Sequence, residues 1–249
     1  MITSSARLLR MKEERKLNSG TFNAIKRSLV GALCLATVAA VPSFAHAQDT
    51  VPLTLKLPKE VFAGTSYDLP PDCKPEKPST KPRAIMQVPK GTVNVALKKK
   101  VTSSSKPISG TLDLVTDGDK EGREDSTLVL KSKLQWIQID LEQTTPIYYI
   151  LVWHFHQEPV VVRQVVVQVS DDPTFSDPKK ITTVYNNDQA NAIGLGVGKD
   201  REYFESYEGR MIDAKGAKGR YVRLYSNGST FRDPLNRYNE VEVYGTPAK

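Results

Sequence analysis

The chain of 249 residues carries 35 lysines and arginines against 28 aspartates and glutamates, a formal net charge of +7. Residues 1–47 hold seven of the basic side chains and two of the acidic ones, which leaves 28 against 26 in the remainder. A surplus of +2 gives no electrostatic ground for nucleic-acid or anionic-membrane binding, and the pI of 9.2 describes mainly the first segment. In that segment Lys26 and Arg27 precede an apolar run from Leu29 to Val41, and Ala45-His46-Ala47 follows. The layout reads as a secretory signal over 1–47, cleaved before Gln48. The run is shorter than the roughly 20 residues that span a bilayer. An exported product without membrane insertion is expected, periplasmic or at the cell surface. Cys34 leaves with the signal and Cys73 stays alone, so an internal disulfide is excluded.

Residues 48–91 contain eight of the sixteen prolines, with little apolar periodicity beyond "VPLTLKLP". Such a stretch cannot bury enough surface to offset its ordering entropy and is expected as an extended linker or strap, with Cys73 as a passenger. From residue 92 to 246 the pattern changes to short strands. "LQWIQIDL" alternates Ile137, Ile139 and Leu141 on one face, with Trp136 read as an apolar wedge at its start. "IYYILVWHF", "RQVVVQVS", "RYVRLYS" and "EVEVYG" follow, separated by "SDDPTFSDP", "YNND" and "SNGS", all turn formers. No segment has the spacing of a long amphipathic helix. The expected fold class is all-β, a jelly-roll β-sandwich.

The motifs, in order, are "NVALKKKVTSSS", "LVTDGDKEG", "LQWIQIDLEQTTPIYYILVW", "GRYVRLYSNG" and "NEVEVYG". Together they resemble the discoidin domain, also called the coagulation factor five/eight type C domain, among the galactose-binding-like jelly rolls. The resemblance implies a non-enzymatic module that binds a carbohydrate or another cell-surface ligand through loops at one end of the sandwich. It also implies a structural calcium ion, held by the carbonyls of Leu114, Asp119 and Asn239, the carboxylates of Asp117 and Glu240, and an oxygen of Ser126 or Thr127. "TDGD" supports this independently, since it offers a carboxylate, a tight bend and backbone oxygens in one turn, the hard donors that calcium prefers. For the sugar, the resemblance points to His154, His156 and Arg163, with Arg232 and Tyr238 of "FRDPLNRY" adding planar and aromatic groups.

"VWHFHQEP" admits other readings. On a strand His154 and His156 share one face, and Trp153 and Phe155 the other. The expected arrangement has the two aromatic residues inward and the histidines at the rim. Glu158 is also in phase, so His154, His156 and Glu158 form an alternative metal-dependent catalytic set, although zinc ordinarily takes three or four protein ligands in other spacings. "GLGVGKD" lacks the first glycine and the Ser/Thr of a phosphate loop, and no "GxSxG" is present. Three readings stand at this point: the binding module, a protein-interaction domain of a surface or periplasmic assembly, and the metal-dependent enzyme.

Overall fold

Alternation of side chains along two long strands sets the architecture. The computed structural model describes residues 49–247 except 62–63, 65–67, 80 and 82. The signal expected over 1–47 lies outside the described residues. Ten strands follow in chain order: β1 (Thr50–Pro52), β2 (Gln87–Pro89), β3 (Val93–Asn94), β4 (Val101–Ser103), β5 (Leu128–Ser132), β6 (Leu134–His154), β7 (Val166–Ser170), β8 (Ile181–Asn186), β9 (Arg210–Asn227) and β10 (Leu235–Gly245). Every pairing among them is antiparallel.

The two segments expected as separate strands on either side of Gln143 are one strand, β6, which turns a corner. Its register with β9 breaks between Asp140 and Thr145, where Glu142 adopts φ 69°, and β9 turns at Lys215 (φ 52°) and Gly216 (φ 77°). Before the corner β6 pairs with Tyr221–Asn227 of β9 and with β4, and β7 and β8 extend that layer. After the corner it pairs with the first half of β9 and with β10, beside which lie β3 and β5. The result is a β-sandwich in which two strands serve both layers. Ile137, Ile139, Ile150, Val152, Leu224 and Val241 are among the fully buried residues between the layers.

The outer face of the second layer is also covered. Leu151, Trp153 and Tyr244 form a separate buried cluster against Leu53 and Leu55, the alternating leucines of "VPLTLKLP". β1 pairs with β2, and Leu53 N–H donates to the Met86 carbonyl at 2.8 Å, so the Pro-rich segment is a strap packed on the sheet. It belongs to the same compact unit as the sandwich. Cys73 within it is 6% exposed, and burial pushes its thiol up to about 12, which makes it a protonated, unreactive group at neutral pH.

Gly209 enters the Trp153 cluster from the opposite side. Its φ is +67°, and a Cβ there would stand 2.5 Å from the Trp153 ring. Gly209→Ala is therefore expected to destabilise the fold by roughly 2–4 kcal/mol, from backbone strain and overpacking together, read as a lower midpoint in thermal melting.

Trp136 departs from its expected place. It lies opposite Tyr225 on the outer face of the first layer, where the Arg223 guanidinium stacks 4.4 Å from its ring and 4.2 Å from that of Phe175. Parity explains this: Ile137 and Ile139 point inward, so their neighbours point out.

Candidate functional site

The acidic loop and the last strand meet at one end of the sandwich. Leu114 belongs to a 3-10 turn, Leu112–Val115, that leads into Asp117. The Asp117 carboxylate accepts from Asp119 N–H at 2.7 Å, and Gly118 N–H donates to Glu240 Oε2 at 3.2 Å. A bulge in β10 between Tyr238 and Glu240 sets Asn239 out of register. Asn239 Nδ2 then donates to Thr127 Oγ1 at 2.7 Å and to the Ser126 carbonyl at 3.4 Å.

Two oxygens at this point have no partner. Glu240 is fully buried and its Oε1 accepts nothing; the same holds for Asn239 Oδ1. Burial pushes the Glu240 carboxyl up to about 9, with the charges of Glu242 and Asp117 adding to the effect. An orphaned carboxylate beside hard oxygens fits a calcium ion. The Asp119 side chain pairs with Arg123.

The expected sugar contacts do not assemble. His154 and His156 are each 1% exposed, contrary to the rim position expected of them. His154 follows Ile150 and Val152 onto the inner face, packs on Tyr238 with ring centroids 4.8 Å apart, and bonds Glu205 through Nδ1 at 2.8 Å. Trp153 therefore points outward, to the strap. β6 ends at His154, and His156 Nε2 meets the Lys120 carbonyl at 2.8 Å. Tyr238 is fully buried, with its hydroxyl bonded to Ser226. Arg163 is held by Glu202 at 2.6 Å and by Asp72 of the strap at 2.7 Å. Of the five residues only Arg232 is exposed, 3.9 Å from Glu158. His154, His156 and Glu158 thus have separate partners, and among the described residues no three His, Cys, Asp or Glu side chains are grouped to hold a metal ion.

A cleft lies elsewhere on the molecule. Residues Tyr203–Met211 and the strap enclose a cleft of about 860 Å³. The first wall is fixed where Glu205 N–H donates to the Val160 carbonyl at 2.8 Å and Trp153 Nε1 donates to the Tyr207 carbonyl at 2.8 Å. From the strap, Arg83 Nη2 donates to the carbonyls of Glu208 at 2.8 Å and Gly209 at 2.7 Å, and Glu76 pairs with Arg210. Arg210 in turn stacks 4.6 Å from the Tyr203 ring.

Polar atoms around this cleft are buried without partners: Arg83 Nη1, Arg210 Nε, Glu205 Oε2 and the Tyr203 hydroxyl. Tyr203 lies beside Glu205 but outside hydrogen-bond geometry, and burial holds its hydroxyl protonated well above the ordinary range. Burial also lowers the Arg83 pKa, an effect offset by Glu208 and reinforced by the charge of Arg210. Arg83, Tyr203, Glu205, Tyr207 and Arg210 are absent from the sequence reading. "REYFESYEGR" carried the signal, with aromatic residues set among carboxylates and arginines.

No protein-family model and no curated protein sequence matches the chain. Among solved structures, a family 89 glycoside hydrolase from Clostridium perfringens aligns with 63% of this chain and 15% of its own, at 16% identity and a TM-score of 0.47. A fucose binding module from Streptococcus pneumoniae aligns over 63% of this chain and 99% of its own, at 22% identity and a TM-score of 0.42. A fucolectin from striped bass serum aligns over 62% and 49%, at 17% identity and a TM-score of 0.43. In the structure itself the first and last motifs meet, Asn94 opposite Tyr244, and the central motif pairs with both of the last two. The fold is an antiparallel β-sandwich, the all-β class that the resemblance in the sequence implied. Its strap lies outside the motifs that carry that resemblance, and it supplies one wall of the cleft.

Proposed function

We propose that the chain is an exported, non-catalytic carbohydrate-binding module whose saccharide lies in the cleft between the strap and Tyr203–Met211. One observation carries this reading: the cleft is lined by the aromatic side chains of Tyr203, Phe204 and Tyr207 together with the guanidinium groups of Arg83 and Arg210 and the carboxylates of Glu76 and Glu208. A saccharide ring offers an apolar face for the first and oriented hydroxyls for the second. Export rests on the segment before Gln48, and no helix among the described residues is long and apolar enough to cross a membrane.

In the same reading a calcium ion sits at the loop end. Asp117, Glu240 and the oxygens of Leu114, Asp119, Ser126 or Thr127 and Asn239 would hold it. It would neutralise the buried Glu240 carboxylate and tie the acidic loop to β10. Its role is structural. Lys120 leaves that loop to pair with Glu242 and lies 4.8 Å from the Trp153 ring, so the loop also packs against the cluster under the strap.

An oligosaccharide array probed with the full chain tests the binding reading. Tyr207→Ala should weaken the best saccharide by about tenfold, the equivalent of about 1.4 kcal/mol, and leave the melting midpoint close to that of the wild type. Binding to no saccharide would leave the protein-interaction reading in its place.

A further inference from the structure

The loop end and the strap meet on one face of the sandwich. Side chains alternate along β10, so Glu240, Glu242 and Tyr244 lie on its outer face while Val241 and Val243 point into the core. Across the ladder Glu240 stands opposite Trp153, Glu242 opposite Leu151 and Tyr244 opposite Tyr149. Leu151, Trp153 and Tyr244 form the cluster on which Leu53 and Leu55 of the strap rest. The carboxylate that fits calcium is thus a cross-strand neighbour of the ring that seats the strap.

Lys120 joins the two. It belongs to the acidic loop, between Asp119 and Glu121, yet its ammonium is buried against the outer face, paired with Glu242 and 4.8 Å from the centre of the Trp153 ring. Glu242 also accepts from the Tyr244 hydroxyl at 2.9 Å. The loop backbone is held at the same place: the Lys120 carbonyl accepts from His156 Nε2 at 2.8 Å, and the Glu121 carbonyl from Gln157 Nε2 at 2.6 Å. From the strap, Lys59 N–H donates to the Glu121 carboxylate at 3.4 Å. Parting a buried ammonium from a buried carboxylate leaves both uncompensated, so this loop and the outer face of β10 hold their positions together. An ion shared by Asp117 and Glu240 would fix the loop just ahead of Lys120, where Gly118 N–H already reaches Glu240.

We infer that calcium at the loop end and docking of the strap stabilise each other, with Lys120 as the link. The inference rests on calcium being held at Asp117 and Glu240, and it extends that structural role to the cleft, one wall of which is the strap. Linkage makes the effect reciprocal: the factor by which calcium favours the docked strap is the factor by which the docked strap favours calcium.

Hydrogen exchange of the full chain in calcium chloride and in chelator tests this at the Leu53 and Lys90 amides, which bond to Met86 and Asp49 between β1 and β2. A two-stranded pair is not stable alone in water, so these amides open when the strap leaves the sandwich. Calcium should slow their exchange about tenfold. K120M combined with E242Q removes both buried charges at once; calorimetry should still show calcium binding, while exchange in the strap no longer responds to it. In the reverse direction, L53A combined with L55A should weaken calcium binding about tenfold. If the K120M and E242Q protein fails to fold, this reciprocal measurement and the wild-type exchange decide. Calcium that binds the wild type and leaves strap exchange unchanged overturns the inference and leaves the calcium reading standing. A strap response that persists without Lys120 overturns the inference as well. A wild type that binds no calcium overturns both.

Discussion

Trp153→Ala should lower the thermal midpoint by roughly 10 °C and release the strap. The ring is fully buried, donates to the Tyr207 carbonyl, receives Gly209 against one face, and lies under Leu53 and Leu55 of the strap. Truncating a buried aromatic of this kind costs about 3–5 kcal/mol, and in a domain of this size each kcal/mol moves the midpoint by about 2–4 °C. The ring sits between the strap and the Tyr203–Met211 wall, so the loss should be concentrated there. Limited proteolysis should then cut the variant within 48–91, ahead of the sandwich, and saccharide binding should vanish with the cleft. A variant that resists cleavage there and keeps a wild-type midpoint would mean that the strap is held by other contacts.

Removal of the proposed calcium ion should have the second large effect, and its size depends on pH. The folded Glu240 carboxyl is pushed up to about 9 by burial, from an ordinary value of 4.5. Without the ion, the folded chain keeps this proton at neutral pH and the unfolded chain releases it. The stability from this group is then complete below about pH 4.5 and is lost as pH rises through about 9. Calcium needs the ionised form, so its binding strengthens over the same interval. At a hundredfold excess over its dissociation constant it contributes about 2.7 kcal/mol. Melting in chelator should show a midpoint that falls as pH is raised from about 5 to about 9, and added calcium should flatten that slope. Glu240→Gln should be nearly indifferent to both. A chelator without effect at pH 8 would remove the ion from the account.

The sandwich was legible because its strands alternate cleanly; Ile137, Ile139 and Leu141 declare an inner face without any tertiary information. That "TDGD" meets Glu240 at one end of the sandwich came from the resemblance and not from local pattern, since the two segments lie more than a hundred residues apart and are joined by Gly118 N–H donating to Glu240. Trp153 was misplaced by the same logic that placed the strands. A large apolar side chain reads as inward, and nothing local shows that leucines near residue 50 cover the opposite face. His154 then fell to the wrong side with it, although its neighbours Ile150 and Val152 share its phase. The cleft was the least legible feature, because its walls come from two segments far apart in the chain, one of them read as a linker. Arg163 illustrates the cost: the arginine expected to hold a ligand is held by Asp72 of that segment.

Hydrogen exchange of the full chain with and without a bound oligosaccharide tests the location of the site most directly. Protection should appear at Glu76, Lys77, Ser79, Lys81, Arg83 and Ala84 of the strap and over 203–211 of the opposite wall, which line the cleft together. Protection confined to the loop that carries Arg232, with the cleft walls unchanged, would contradict it.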